Sequence, residues 1–189
     1  KTQEKHIRFA GGEDLVGLVW ANRPALSCEK LWELDASYAG LSRAEKLAKV
    51  REKMDEAGAD VFIIPALDEI AWLLNLRGGD VLFTPVFLSY LMLTRGSATL
   101  CVQKEAVSAE IEAHLNADGV TLAPYDDIYR LVAALPRGTR VLLDGASANY
   151  RITQSVPDGA ETLDRPSPII LMKAVKNAAE QENERRAHI

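Results

Sequence analysis

The amino-acid sequence predicts an α/β fold, a mixed β-sheet flanked by helices, from three observations on its 189 residues. A well-capped amphipathic helix leads directly into a short, wholly apolar strand. Helical and strand-like segments then alternate along the rest of the chain. One pair of strands is joined by a glycine-containing turn, which is typical of an antiparallel hairpin. Alternating helices and strands favour a sheet covered by helices, and the hairpin adds antiparallel pairing to it.

The first helix is marked by a capping box at its start and a glycine at its end. In Ser42-Arg43-Ala44-Glu45 the serine oxygen can accept from the Glu45 amide, while the Glu45 carboxylate reaches back to the Ser42 amide. Gly58 predicts a left-handed stop to the helix. One face between these two signals is apolar, at Leu47, Val50 and Met54.

A buried strand and a second helix follow. The apolar run Val61-Phe62-Ile63-Ile64, closed by Pro65, predicts a strand that is covered on both faces. Asp68 is predicted to cap the next helix, which runs through Leu76. The segment Arg77-Gly78-Gly79-Asp80 then breaks that helix.

The remaining segments complete the alternating pattern, with the hairpin turning at Arg95-Gly96-Ser97. Apolar patterning predicts strands over 86–94, 98–102, 120–123 and 139–143. It predicts helices over 105–116 and 126–135, and one long helix over 168–189. In that last helix Glu182 and Arg186 have the favourable i,i+4 orientation for an ion pair.

The patterning divides the chain into three parts. Residues 1–25, with Gly11-Gly12, the apolar run from Leu15 to Trp20 and Pro24, are typical of the end of a preceding domain or a linker, which extends to about Leu41. Residues 26–167 are predicted to form the α/β domain itself. Residues 168–189 are predicted to be a helix that leads into a further, absent domain, so we expect a piece of a longer protein.

Composition and charge exclude several classes of protein. The formal net charge is -5 and there is no basic run, which argues against a nucleic-acid partner. The longest apolar stretches have about ten residues, well below the roughly 20 of a membrane span. Cys28 and Cys101 do not form a metal-binding pair and are expected to be free thiols in a reducing compartment, so the predicted location is the cytoplasm.

No catalytic site of the chain's own is predicted. The three histidines, His6, His114 and His188, have no second ligand at zinc spacing, and a solvated role is expected for each. Nucleophile-elbow, phosphate-loop and dinucleotide-binding motifs are missing from the sequence.

The loop from Arg77 to Asp80 is the strongest candidate for a binding role. Loops held by rigid elements often display binding groups, and a guanidinium here could bind a carboxylate or a peptide carbonyl from outside the domain. The alternative is that Arg77 and Asp80 pair with each other or cap the end of the helix.

The same region carries a family resemblance. The string from Asp68 to Gly78, followed by Asp80, closely resembles the middle domain of the long, three-domain Xaa-Pro aminopeptidases, also called aminopeptidase P. Further matching positions are Pro85, Val86, Phe87 and Tyr90, the entry at Tyr38-Ala39-Gly40 with Lys46-Leu47, and the exit at Ser167-Pro168-Ile169 with Lys173, Lys176-Asn177, Glu180 and Arg186-Ala187-His188.

The resemblance implies a ribonuclease-H-like domain of the creatinase amino-terminal type. It implies a parent enzyme, a metallo-aminopeptidase that releases an N-terminal residue preceding proline with two manganese ions. In the family these ions are held by two Asp, one His and two Glu of a pita-bread catalytic domain, and none of the five has a counterpart here. The fragment itself is therefore expected to be inactive and to bind no metal.

The resemblance also implies partners and a role. The expected partners are peptides with proline at the second position and the neighbouring domains of the same chain, and a homodimer is possible. The domain is expected to be a wall and spacer beside the catalytic cleft. The residues expected to face substrate or an interface are Asn75, Arg77, Asp80 and Tyr90.

Two alternatives stay open. The chain could come from a metal-free peptidase-like protein that serves as a protein-binding module, but the motif around Asn75 argues against this. It could also be the amino-terminal domain of a creatinase or prolidase relative. The remnant from Asp14 to Pro24 disfavours that reading, because such proteins normally have no preceding unit.

Overall fold

The structure, a computed structural model, describes residues 14–189. Its helices are α1 (Leu15–Val19), α2 (Ala36–Ala39), α3 (Arg43–Ala57), α4 (Leu67–Leu74), α5 (Ala109–Ala117), α6 (Asp127–Ala133), α7 (Tyr150–Ser155), α8 (Pro168–Ala174) and α9 (Ala178–Ala187). Its strands are β1 (Trp32–Glu33), β2 (Val61–Ile64), β3 (Leu76–Arg77), β4 (Ser89–Thr94), β5 (Ala98–Val102), β6 (Val120–Pro124), β7 (Arg140–Leu143) and β8 (Glu161–Asp164).

Six strands form one mixed sheet in the order β6-β5-β4-β2-β7-β8. β4 is antiparallel to both of its neighbours, β2 and β5, while the pairs β5–β6, β2–β7 and β7–β8 are parallel. The predicted mixed sheet is thus confirmed. A separate two-stranded ribbon joins β1 to β3, with Trp32 opposite Arg77.

Helices cover both faces of the sheet, which gives two apolar cores. The larger core lies between the sheet and α3, α4, α5 and α8, and the smaller one lies under α6 and α7. The strand β2 contributes to both, since Phe62 and Ile64 face the larger core while Val61 and Ile63 face the smaller one. All four residues are buried, as the wholly apolar run predicts for a central strand.

The signals at the two ends of α3 are confirmed. The Ser42 hydroxyl accepts from the Glu45 amide at 3.3 Å, and the Glu45 carboxylate accepts from the Ser42 amide at 2.8 Å. Gly58 ends the helix with φ +70 and donates to the carbonyls of Met54 and Asp55. Two reciprocal bonds at the start and a left-handed glycine at the end satisfy backbone groups that the helix itself cannot pair.

The second helix differs from its prediction at both ends. α4 begins at Leu67, so Asp68 lies within its first turn and does not cap it. The helix ends at Leu74 because Asn75 takes the left-handed conformation, with φ 52. An asparagine adopts this conformation more readily than most residues, and it stops the helix two residues before the expected end.

Two further predicted elements are too long. The strand expected from residue 86 begins at Ser89, because the Leu88 amide is taken by the Asp80 side chain at 2.9 Å. The helix expected over 105–116 splits into a 3-10 turn, Lys104–Ala106, and α5. Ser108 makes the division, since its hydroxyl accepts from the Ile111 amide as an N-cap.

The prediction of one long helix over 168–189 is wrong. The chain there forms α8 and α9, which are separated at Val175–Asn177. Asn177 opens α9 with a second capping box, in which its side chain accepts from the Glu180 amide and Glu180 accepts from the Asn177 amide, both at 3.0 Å. The pair between Glu182 and Arg186 is present at 3.0 Å.

The segment predicted as a linker up to about Leu41 is folded onto the domain. It supplies β1 and α2, and Leu31 is buried in the larger core. The apolar run from Leu15 to Trp20 forms the short helix α1, which buries none of its residues. Gly11-Gly12 lies outside the described residues. No helix between residues 14 and 189 is both long enough and apolar enough to cross a membrane.

Candidate functional site

An open groove of about 710 Å³ lies between α4, α9 and the segment that follows β3. One wall carries Trp72 and Arg77, and Pro85 and Val86 supply an apolar edge. α9 forms the opposite wall through Glu180 and Asn183. The groove thus combines an aromatic surface, an apolar edge and charged groups of both signs.

α9 is fixed across the groove by side-chain contacts with the backbone of α2. The Asn177 amide group donates to the Ala39 carbonyl at 2.9 Å, and that of Asn183 donates to the Tyr38 carbonyl at 2.8 Å. Glu180 adds a third contact, because one of its oxygens accepts from the Trp72 indole Nε1 at 3.0 Å. These bonds hold α9 against α2 and α4.

Lys46 forms the floor of the groove and is only 1% exposed. Its Nζ donates to the Trp72 carbonyl at 2.9 Å and to Asn75 Oδ1 at 2.7 Å, and it lies 4.2 Å from the centre of the Trp72 ring. Burial lowers the pKa of Lys46 to about 8, Glu180 opposes this effect, and Arg77 adds to it.

Three basic side chains converge on the carboxyl end of α4. Lys46 binds the Trp72 carbonyl, Arg43 Nε donates to the Leu74 carbonyl at 2.8 Å, and Arg77 Nη1 donates to the Ala71 carbonyl at 2.9 Å. The last carbonyls of a helix have no partners within the helix and carry partial negative charge. Cations are therefore stabilised here, although burial disfavours them.

Arg77 and Asp80 do not pair with each other among the described contacts. Arg77 Nη1 also donates to the Leu76 carbonyl at 2.9 Å, so part of its guanidinium caps the helix end, as one sequence-based alternative expected. Asp80 instead accepts from the amides of Glu29 and Leu88, each at 2.9 Å. Burial acts to raise the pKa of Asp80, but these hydrogen bonds prevail and lower it.

The turn Val81–Phe83 projects from this anchored base into solvent. Leu82 and Phe83 are highly exposed, the latter at 96%. Phe83 also has φ 64, a left-handed conformation that is rare for a bulky residue. The turn is closed by the Thr84 amide, which donates to the Val81 carbonyl at 3.1 Å. It is an apolar tip beside the groove.

The four predicted site residues do not form one cluster. Asn75, Arg77 and Asp80 follow one another around the end of α4, with only Arg77 lining the groove described above. Tyr90 lies on the other face of the sheet, in the smaller core. There its hydroxyl is 3.3 Å from that of Tyr129 and accepts from Asn149 Nδ2 at 2.9 Å.

The described histidines have ordinary partners. His114 Nδ1 lies 2.8 Å from a Glu33 carboxylate oxygen, and His188 Nδ1 lies 2.7 Å from the Glu184 carbonyl. His6 lies outside the described residues. Within residues 14–189 no group of three or more His, Cys, Asp or Glu side chains is arranged to hold a metal ion.

Sequence reasoning missed the roles of Lys46 and Glu180. Lys46 stands four residues before Val50 and eight before Met54, so helical spacing alone places it on the apolar face of α3. The signal for Glu180 was the Asn177-to-Glu180 spacing of a capping box. Both residues were noted only for the family resemblance.

Comparison with known proteins decides the family. The chain matches the Creatinase/Prolidase N-terminal domain over residues 22–180. The chain belongs to the creatinase/prolidase N-terminal domain family. It is 35% identical over 187 residues to a Sordaria macrospora protein and over 188 residues to a Neurospora crassa protein, each named "Probable Xaa-Pro aminopeptidase P".

These relatives are much longer than the chain. The matches cover 94% of the chain in both cases, but only 30% of the Sordaria protein and 27% of the Neurospora protein. A solved relative has the same fold over 93% of this creatinase/prolidase-type chain and 29% of its own length, with 28% identity and a TM-score of 0.84. It is the X-prolyl aminopeptidase of Caenorhabditis elegans, described as a cytosolic enzyme with a di-nuclear active site.

Proposed function

We propose that this chain is the non-catalytic middle domain of a longer, metal-dependent Xaa-Pro aminopeptidase. The parent releases an N-terminal residue that precedes proline, so its substrates are peptides with proline at the second position. The observation that carries the proposal is the 35% identity, over 94% of the chain, to proteins named for that activity. In this scheme residues 1–25 end a preceding unit, 26–167 form the domain, and 168–189 lead into the catalytic domain.

The role proposed for the domain is that of a wall and spacer beside the catalytic cleft. The surface that supports this role is the groove together with the adjoining Val81–Phe83 tip. An exposed apolar tip with a strained aromatic residue is unfavourable in water, and such strain is concentrated at functional contacts. The loop from Arg77 to Asp80 forms the rigid base of that tip and faces the same side.

The metal belongs to the parent's other domain in this proposal. A pair of manganese ions needs a cluster of carboxylates and histidine, and the described residues offer no group of three such ligands. The described residues therefore do not fit the metal pair. The di-nuclear site of the C. elegans neighbour supports metal use by the parent.

A cytoplasmic location is also proposed for the parent. The C. elegans neighbour is described as cytosolic, and neither described cysteine forms a disulfide, with Cys28 exposed and Cys101 buried. Free thiols are typical of reducing compartments. A homodimer of the parent is part of the same proposal.

The test compares the longer parent protein with the chain 1–189 alone. We expect the parent to release the first residue from a peptide with proline at position two, to lose this activity on chelation, and to regain it with Mn²⁺. We expect the chain alone to release nothing at the same concentration. Release by the chain alone, or a parent that cleaves no such peptide, would contradict the proposal.

A further inference from the structure

Arg77 has hydrogen-bonding capacity that its own domain leaves unused. Its Nη1 makes both described bonds, to the carbonyls of Ala71 and Leu76. Nε and Nη2 make no hydrogen bond to any residue between 14 and 189. No fully buried side-chain nitrogen or oxygen in that range lacks a partner, so these two atoms are in contact with solvent, and Arg77 itself lines the groove. A guanidinium edge of this kind matches the two oxygens of a carboxylate.

The charges around this edge are unbalanced. Lys46 on the floor and Arg77 on one wall are two cations, and Glu180 is the carboxylate whose charge acts on both. Both oxygens of Glu180 already accept from neutral donors, Oε1 from the Trp72 indole and Oε2 from the Asn177 amide. It makes no ion pair within 4 Å with either cation. Partly desolvated cations without a close counter-ion favour binding of an anion.

The other cations at the groove are paired or exposed. Lys173 forms an ion pair with Asp68, and Lys176 donates to the Lys173 carbonyl at 2.6 Å. Arg186 is held by Glu182 at 3.0 Å. Glu184 is a second carboxylate at the groove, and its side chain is exposed on α9. Lys46 and Arg77 are therefore the more buried cations of the groove, and neither forms an ion pair with a described residue.

We propose that the groove binds a carboxylate, held by Nε and Nη2 of Arg77, with the apolar part of the ligand against Trp72, Pro85 and Val86. The carboxylate could be the terminus of a short peptide or an acidic side chain. The choice of a peptide as ligand rests on the proposed function, whereas the choice of a carboxylate rests on the groove alone.

Three blocked probes separate the two sources. N-acetyl-prolyl-leucine has a free terminal carboxylate, its C-terminal amide has none, and the amide of N-acetyl-prolyl-glutamate has only a side-chain carboxylate. Binding to the chain 1–189 is measured by calorimetry and by quenching of tryptophan fluorescence. Because charged hydrogen bonds contribute about 1.5–3 kcal/mol, we expect a carboxylate probe to bind at least about tenfold more tightly than the neutral amide.

Two variants give effects of opposite sign. Arg77→Ala should abolish the preference for a carboxylate. Glu180→Gln should strengthen carboxylate binding, at least about threefold, because it removes the nearby negative charge. Glutamine has one acceptor oxygen where Glu180 uses two, so this variant keeps either the bond to Trp72 or the capping-box bond, and its urea unfolding is measured to confirm that α9 stays folded. Glu52→Gln is the control for the loss of one negative charge, since Glu52 is exposed on α3 and does not line the groove.

Each outcome decides the proposal. Tighter binding of the free acid supports recognition of a peptide terminus, and tighter binding of the glutamate amide supports an acidic side chain as the source. Equal binding of all three probes, no binding, or a folded Glu180→Gln variant that binds no more tightly than Glu52→Gln would overturn it. The binding experiment measures no cleavage. A negative binding result would therefore overturn the carboxylate site without bearing on the peptidase activity of the parent, which is tested by the release of an N-terminal residue.

Discussion

The side-chain oxygen of Asn75 lies 2.7 Å from Nζ of Lys46, so the residue that ends α4 also solvates a buried cation. The side-chain nitrogen of Asn75, Nδ2, donates to the Leu41 carbonyl at 2.9 Å. Its left-handed backbone, with φ 52, directs the chain into β3. One residue therefore links α3, α4 and the segment before α3.

Replacing Asn75 should separate its backbone role from its side-chain role. Asn75→Ala loses both, because alanine is strained at positive φ and leaves Lys46 with one hydrogen bond fewer. We expect the free energy of unfolding to fall by about 2–5 kcal/mol, from about 1–2 for the backbone and about 1–3 for the lost partner. Urea unfolding followed by circular dichroism measures it.

Asn75→Gly is the matched control, because glycine accepts the left-handed conformation without strain. We expect it to lose the side-chain contribution and about 0.5–1 kcal/mol from the greater flexibility of the unfolded chain, and still to be more stable than Asn75→Ala. A variant Asn75→Gly that is less stable than Asn75→Ala would show that the left-handed backbone costs alanine less than glycine's flexibility costs.

Lys46 should make stability rise with pH above neutrality. Burial lowers its pKa in the folded protein from the ordinary 10.5 to about 8. Between pH 8 and pH 10.5 the unfolded chain binds more protons than the folded one, so the free energy of unfolding rises with pH. The stability that Lys46 contributes is thus fully present above pH 10.5 and is lost as the pH falls through 8. The difference in pKa corresponds to about 3 kcal/mol.

The measurement is the free energy of unfolding from pH 7.5 to 10.5 for wild type and Lys46→Met. We expect the wild type to gain about 3 kcal/mol relative to the variant over that range. Taking the difference removes the contributions of other groups that titrate there. Lys53→Met, an exposed position on the same helix, controls for the loss of a lysine. If the free energy of unfolding of Lys53→Met, relative to the wild type, depended on pH as steeply as that of Lys46→Met, Lys46 would not be the cause of the pH dependence.

The parts of the fold that the sequence predicts are those with purely local causes. The reciprocal bonds of Ser42 and Glu45, the glycine stop at Gly58 and the apolar run of β2 each act within a few residues. The prediction of one long helix after Pro168 was wrong because the apolar pattern continues on both sides of Val175–Asn177. At this point α8 has ended, and Asn177 caps the start of α9. The family resemblance is confirmed by the match over residues 22–180.

The candidate site was less predictable because its contacts cross the chain. Glu180 meets Trp72 from 108 residues away, and no local pattern encodes that contact. The sequence drew attention to Arg77, but its partners are the carbonyls of Ala71 in α4 and Leu76 in β3, and not Asp80. Tyr90 was grouped with Arg77 by the resemblance, although the alternation of side chains along β4 places it on the other face of the sheet.

The two cysteines should differ sharply in reactivity. Cys28 is exposed, whereas Cys101 is buried in β5, where burial and then the charge of Asp127 raise its pKa to about 12. Compared with an ordinary value of 9, this reduces the thiolate fraction about a thousandfold. Iodoacetamide at pH 8 should therefore label one thiol per native chain, and Cys28→Ser should abolish that labelling. Labelling of native Cys28→Ser at the rate seen in urea would contradict the burial of Cys101.

We expect the protein to be more stable with glycine at position 83 than with Phe83. It is 96% exposed, so the folded state gains almost no burial from its ring, and its left-handed backbone costs about 1–2 kcal/mol. Glycine removes that strain but adds flexibility to the unfolded chain, at a cost of about 0.5–1 kcal/mol. The difference between these contributions predicts that Phe83→Gly raises the free energy of unfolding by up to about 1.5 kcal/mol.

Leu82→Gly is the matched control for this gain. Leu82 is also highly exposed in the same turn, but it does not have positive φ, so glycine there brings only the entropic cost. We expect Leu82→Gly to lower the free energy of unfolding while Phe83→Gly raises it, both measured by urea unfolding. The opposite signs identify backbone strain as the cause, because loss of an exposed apolar side chain is common to both variants. A fall in stability for Phe83→Gly would mean that the turn stores no strain at this residue.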